Sequence, residues 1–171
     1  MSSARVLVLL RHTKAERPDG LADIDRPLTD RGHADAGAAG AWLAAQRHVP
    51  DAVICSPAKR TRQTWHGVAV ALAEVSRGNT PVVHYERPVY DGSARDLLAL
   101  IRAVDDGVTT LLLIGHNPSV SDLSALLDPT SGGGDPDGLR TGGLAVHQVP
   151  ASWAECRPRL APLAATHTAR A

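Results

Sequence analysis

Four residues of this chain carry side chains suited to one task, and they stand at comparable places along it. Arg11 and His12 follow the apolar run RVLVLL (residues 5–10). His116 follows TTLLLIG (109–115), and Arg60 lies shortly after DAVICS (51–56). Two guanidinium and two imidazole groups aimed at one crevice make a site for a doubly charged tetrahedral anion, because guanidinium forks match phosphate oxygens in pairs. Ser56-Pro57 and Asn117-Pro118 read as cap-plus-proline helix starts. Such starts would add backbone N–H groups and partial positive charge to the same crevice. The chain has no Gly-Lys-Ser/Thr run, so the P-loop mode of holding phosphate is excluded. His12 can do more than bind. A neutral imidazole attacks phosphorus, and a covalent intermediate splits one displacement into two easier ones. Flanking arginines and a second histidine would disfavour the imidazolium and lower the pKa. A hydrogen bond from the other ring nitrogen would fix the tautomer.

Short apolar runs alternating with amphipathic stretches must position these groups. RVLVLL, DAVICS and TTLLLIG read as strands buried on both faces, with PVVHY (81–85) a weaker third strand in chain order and LAVHQV (144–149) a last one, placed at an edge. Between them lie a helix over 28–46 capped by Thr29, one from 57 to about 76, one over 93–104, and one begun at Asn117-Pro118. Residues 14–27 and 85–93 are loops. Residues 128–143, with Gly132 to Gly134, form a Gly-rich and mobile segment, and the tail after Pro150, broken by prolines, has no assigned element. The pattern predicts an α/β fold: a three-layer α/β/α sandwich around a mostly parallel central sheet. Ligands bind such sheets outside the carboxyl ends of the strands. Arg11, His12 and His116 would stand at those ends, and Arg60 in the first turn of the following helix.

The chain has 171 residues, with 18 Lys plus Arg against 18 Asp plus Glu. The length predicts one domain over 1–171, its core within 5–149. The balanced charge argues against nucleic acid or a membrane surface as partner. Cys55 and Cys156 form no disulfide or metal pattern, and no stretch has transmembrane length or the form of a signal peptide, so the expected setting is cytoplasmic.

LLRHTKAE, SPAKRTRQT and LLLIGHNPSVSDL together, with RPLTDRG and TGGLAV, resemble the histidine phosphatase superfamily and, within it, the SixA-type phosphohistidine phosphatases, over about residues 5–149. The resemblance implies a phosphoglycerate mutase-like fold and no metal or organic cofactor. It makes His12 the phosphorylated nucleophile, Arg11 and Arg60 the clamp on the phosphoryl oxygens, and His116 the group that completes the phosphate pocket. The motif offset from Ser56 selects Arg60 over Arg62. Two positions depart from the family pattern. Thr13 stands where glycine is usual, and would crowd the pocket or add a hydroxyl donor to the phosphate. Asp91, in RPVYDG, lies near the position of a general acid but is also a natural turn residue before Gly92. Asn117 is a further candidate phosphate ligand. The loop acids Asp23, Asp25 and Asp30 read as solvated and hold no metal, and the remaining histidines have no supporting pattern. The implied activity is a phosphatase working through phosphohistidine. Its substrate would be a phosphohistidine-bearing protein, since an imidazole leaving group needs less proton help than an alkoxide. Alternatives are a small phosphorylated molecule as substrate, or a phosphoprotein-binding module of low turnover.

Overall fold

The computed structural model describes residues 4–76, 78, 80–130 and 137–171. The Gly132 to Gly134 stretch of the Gly-rich segment lies outside the described residues. The described chain runs β1 (Arg5–Arg11), α1 (Asp30–Ala45), β2 (Ala52–Cys55), α2 (Lys59–Val75), β3 (Val82–Tyr85), α3 (Arg87–Asp91), α4 (Ala94–Arg102), β4 (Thr110–Gly115), α5 (Ser119–Leu127), β5 (Gly143–Val149) and β6 (Leu163–Thr168). The six strands form one sheet in the order β3-β2-β4-β1-β5-β6. The first four are mutually parallel, β5 is antiparallel to β1, and β6 is antiparallel to β5. This is the expected α/β sandwich with a mostly parallel sheet.

The apolar runs are continuous because both faces of the central strands are covered. Leu7 and Leu9 of β1, with Leu111 and Leu113 of β4, face α4 and α5. The alternate residues Val8, Leu10, Leu112 and Ile114 face α1 and α2. Helices α1 and α2 approach each other closely through glycine: a Cβ at Gly40 would stand 2.6 Å from the Val68 carbonyl oxygen. Thr29 caps α1, its hydroxyl accepting from the Gly32 N–H at 3.0 Å. Among the described residues no helix is long and apolar enough to cross a membrane.

Three expectations are corrected. Strand β5 is internal, and the edge belongs to β6, in the tail. There Ala and Thr pair on one side only, and the His167 ring stacks on Trp42 with centroids 4.7 Å apart. Helix α2 begins two residues later, and α5 one residue later, than the prolines suggested. Ala58 and Pro118 occupy their N-cap positions, while Ser56 Oγ accepts from the Ala58 N–H at 3.2 Å. The segment 85–93 is not all loop, because α3 turns within it.

The tail belongs to the core. Trp153 is fully buried beside Cys156 and Ala161, and its indole N–H donates to the Val108 carbonyl at 2.8 Å. Trp153→Ala is expected to lower unfolding stability by about 3–5 kcal/mol through lost burial and the cavity left behind. Urea denaturation checks this, and a loss below about 1 kcal/mol would show that the tail is not part of the cooperative unit.

Candidate active site

Because β1, β2, β3 and β4 are parallel, their carboxyl ends share one rim of the sheet. The register places Arg11 beside Gly115, and Cys55 beside both Tyr85 and Ile114. The residues that follow those ends are His12, Ser56, α3 and His116. This convergence builds the site.

His12 is 7% exposed, and its ring centroid lies 5.3 Å from that of His116. Its Nδ1 is 2.7 Å from the Thr13 carbonyl oxygen. A carbonyl only accepts, so Nδ1 carries the proton and Nε2 keeps its lone pair. Burial pushes the His12 pKa down to about 4; the Thr13 hydrogen bond opposes this, and Arg60, Arg11 and Arg26 add to it. Burial is thus the leading cause, ahead of the arginines named from the sequence. The second histidine is itself the more affected, since burial first and His12 next bring His116 down to about 3. Both imidazoles are neutral at pH 7. The folded His12 value lies below its ordinary 6.5, so the unfolded chain takes up the proton first as pH falls. The stability this group contributes is present above pH 6.5 and lost between 6.5 and about 4. An NMR titration of the His12 ring should find its midpoint near 4, and a midpoint near 6.5 would contradict the buried, cation-flanked environment.

Arg60 is 5% exposed in the first turn of α2, whereas Arg62 is exposed and bonds the Pro57 carbonyl. Arg60 spends Nη1 on the Asp23 carbonyl at 2.7 Å and Nη2 on Asp23 Oδ2 at 3.0 Å. Arg11 spends Nη1 on the Leu139 carbonyl at 3.1 Å. His116 Nε2 lies 2.7 Å from Ser56 Oγ. Four buried side-chain N or O atoms among the described residues lack a hydrogen-bond partner, and three of them are Arg11 Nε, Arg60 Nε and His116 Nδ1. A buried donor without an acceptor costs about 1–3 kcal/mol, so such atoms rarely gather without a reason.

The structure therefore brings Arg11, His12, Arg60 and His116 together, and it directs the other three candidates elsewhere. Thr13 is fully buried, its hydroxyl 3.3 Å from Thr64 Oγ1 and its N–H donating to the same oxygen at 3.2 Å, so it packs on α2 and adds no hydroxyl to the pocket. Asn117 donates to the Leu139 carbonyl at 2.7 Å and accepts from the Ser121 hydroxyl, which makes it a brace for the segment that also holds Arg11. Asp91 is exposed and paired with Arg87 at 3.0 Å within α3.

Sequence reading missed three participants. Asp23, read as a solvated loop acid, takes bonds from Arg60, from Arg26 at 3.0 Å and from the Tyr90 hydroxyl at 2.7 Å. The Tyr90 bond, followed by those of Arg26 and Arg60, lowers the Asp23 pKa well below the usual carboxylate range, so Asp23 is an anion at the rim and no proton donor. Tyr90 also stands edge-on to His116, with centroids 5.5 Å apart. Ser56, read only as a helix cap, holds the His116 ring. No spacing in the sequence sets Asp23 apart from Asp25, or Tyr90 apart from its neighbour Asp91.

Residues 7–81 match the histidine phosphatase superfamily (branch 1). An uncharacterized protein of Mycobacterium tuberculosis is 38% identical over 167 residues, covering 94% of this chain and 100% of its own length. Among solved structures, a candidate phosphohistidine phosphatase SixA from Nakamurella multipartitia is 33% identical with a TM-score of 0.86, covering 99% of each chain. The protein histidine phosphatase SixA complexed with tungstate shares the fold, at 23% identity and a TM-score of 0.77 over 95% of this chain and 96% of that one. The chain belongs to the histidine phosphatase superfamily and is a phosphatase. Within that superfamily it is of the SixA type.

Proposed function

We propose that this phosphatase works through a covalent phosphohistidine at His12 and that its substrate is protein phosphohistidine, in the cytoplasm. The observation that carries the reading is the set of three buried, unpartnered groups, Arg11 Nε, Arg60 Nε and His116 Nδ1, gathered around an imidazole held as a nucleophile. Two of them are cationic donors, and a phosphoryl group supplies the oxygens they lack. The two free cysteines are buried and lie in a chain suited to a reducing compartment.

The chemistry follows from the protonation states. His12 Nε2 attacks phosphorus; the P–Nε2 bond forms as the bond to the leaving group breaks. The Nδ1–H of His12 stays on the Thr13 carbonyl, which stabilises the positive charge gained by the ring. Arg11 and Arg60 balance the charge on the transferring phosphoryl oxygens. Water then attacks phosphorus, the P–Nε2 bond breaks, and inorganic phosphate leaves. Asp23 is ionised, the Tyr90 hydroxyl is committed to it, and Asp91 is paired with Arg87, so none of these three offers a free proton to a leaving group. That favours phosphoramidates. An N-phosphorylated imidazole can leave as neutral imidazole after protonation on its own distal nitrogen, whereas an alkoxide needs an acid from the protein.

The test is phosphate release from a phosphohistidine-bearing carrier protein beside p-nitrophenyl phosphate, both in EDTA. Sustained release from the carrier supports the reading. Turnover of the aryl ester alone sinks the protein substrate in favour of a small phosphomonoester. A single burst without turnover points to a phosphoprotein-binding module.

A further inference from the structure

His116 is neutral and has one ring proton to place, and its placement decides what the residue offers a phosphoryl oxygen. A proton on Nδ1 makes the unpartnered buried nitrogen a donor; a proton on Nε2 leaves a lone pair there, which would repel an anion. Among the described residues the hydrogen-bond partner of the ring is Ser56 Oγ, at 2.7 Å from Nε2, and a hydroxyl can take either part.

The surroundings of Ser56 break that ambiguity. Ser56 is fully buried. Its N–H donates to the Ile114 carbonyl at 3.1 Å, and its own carbonyl accepts from the Thr61 hydroxyl at 2.9 Å. Its Oγ accepts from the Ala58 N–H at 3.2 Å. One lone pair of the hydroxyl oxygen is thereby used, leaving one lone pair and the proton. If His116 donated from Nε2, the Ser56 proton would be buried without an acceptor and Nδ1 would be buried without a donor. If Ser56 donates to Nε2, every polar atom of Ser56 has a partner. The single group left over is then Nδ1–H, a donor of the kind an oxyanion satisfies. One unmet group costs less than two.

We infer that Ser56 is a positioning residue whose hydroxyl donates to His116 Nε2 and so holds neutral His116 as an Nδ1–H donor toward the phosphoryl oxygens. The inference rests on the phosphatase reading and adds the device that makes the second histidine useful to it. The two site histidines then share a tautomer and show opposite faces. His12 hides its proton on a backbone carbonyl and presents a lone pair to phosphorus. His116 hides its lone pair on a serine hydroxyl and presents a proton to oxygen.

The first measurement is 15N–1H correlation of the His116 ring in the wild-type protein at pH 7, where an Nδ1–H tautomer is expected and an Nε2–H tautomer overturns the inference without any substitution. The second compares Ser56→Ala and Ser56→Thr, with folding checked by thermal melts. Ser56→Ala should lose Nδ1–H as the dominant form and lower kcat about tenfold or more, less than the roughly 10²–10³ of deleting an oxyanion donor outright. Ser56→Thr, which keeps the hydroxyl, should restore both the tautomer and most of kcat where the added methyl is accommodated. A folded Ser56→Ala that keeps the Nδ1–H tautomer and kcat within twofold of wild type also overturns the inference. His12 phosphorylation is followed in the same samples. A wild type with the expected tautomer but no phosphohistidine and no phosphate release sinks the phosphatase reading, and with it the role of His116 toward phosphoryl oxygen.

Discussion

His12→Ala is expected to remove roughly four orders of magnitude or more of phosphate release, and to abolish the acid-labile phosphoryl adduct on the protein, because loss of a covalent nucleophile removes the reaction path and not merely one stabilising contact. The geometry singles out His12 over the neighbouring histidine for this part. Both rings are neutral at pH 7, but only His12 has a partner that dictates its tautomer by itself, the Thr13 carbonyl at 2.7 Å from Nδ1. Its Nε2 therefore keeps its lone pair, with no competing hydrogen bond among the described residues. His116 has its Nε2 engaged on Ser56 and stands as a donor. The two variants should consequently fail in different ways. His116→Ala should turn over slowly yet still acquire phosphate at His12, whereas His12→Ala should acquire none. Intact-mass measurement after a neutral quench separates them. A phosphoryl adduct retained in His12→Ala would mean that the nucleophile is another residue.

The parts of this arrangement that were legible in the sequence are those written in local patterns. The runs at 6–10 and 111–115 carry no polar side chain because β1 and β4 are covered on both faces, so strands, parallel order and the placement of Arg11, His12 and His116 at carboxyl ends all follow. Thr29 announces α1 by the same local chemistry that satisfies Gly32. What escaped is what tertiary contact alone decides. Strand β6, LAATHT, has neither a continuous nor an alternating apolar pattern, because as the edge it pairs on one side and is mostly exposed. Asp23 resembles its loop neighbours until the fold carries it 37 positions along the chain to Arg60 and 67 to Tyr90. Ser56 is not the N-cap that the sequence suggests, since Ala58 holds that place, yet its Oγ still accepts from a backbone N–H just ahead of α2. Its hydroxyl proton is a separate resource, and only the arrival of His116 from β4 shows where it goes.

Arg60→Lys is expected to lower kcat/KM by about two to three orders of magnitude although the charge is retained, the size of effect seen when one preorganised oxyanion donor is lost. The reason lies in how many acceptors the guanidinium serves at once. Arg60 holds the Asp23 carbonyl through Nη1 and the Asp23 carboxylate through Nη2, and still keeps a buried Nε–H for the substrate. An ammonium group is a single point with three donors and has no planar fork. Placed here, it would follow the nearest anion, and Asp23 is a permanent one whose low pKa keeps it charged throughout the working range. The lysine would be captured by Asp23 and lost to the phosphoryl group. This account makes a further demand. Removing the captor should help the lysine, so Asp23→Asn should cost activity in the wild type, by loosening Arg60, yet recover part of it in the Arg60→Lys background. Steady-state kinetics on the four proteins of that cycle decide the matter. If Arg60→Lys keeps more than about a tenth of kcat/KM, a point charge suffices and the forked clamp is not what this site uses.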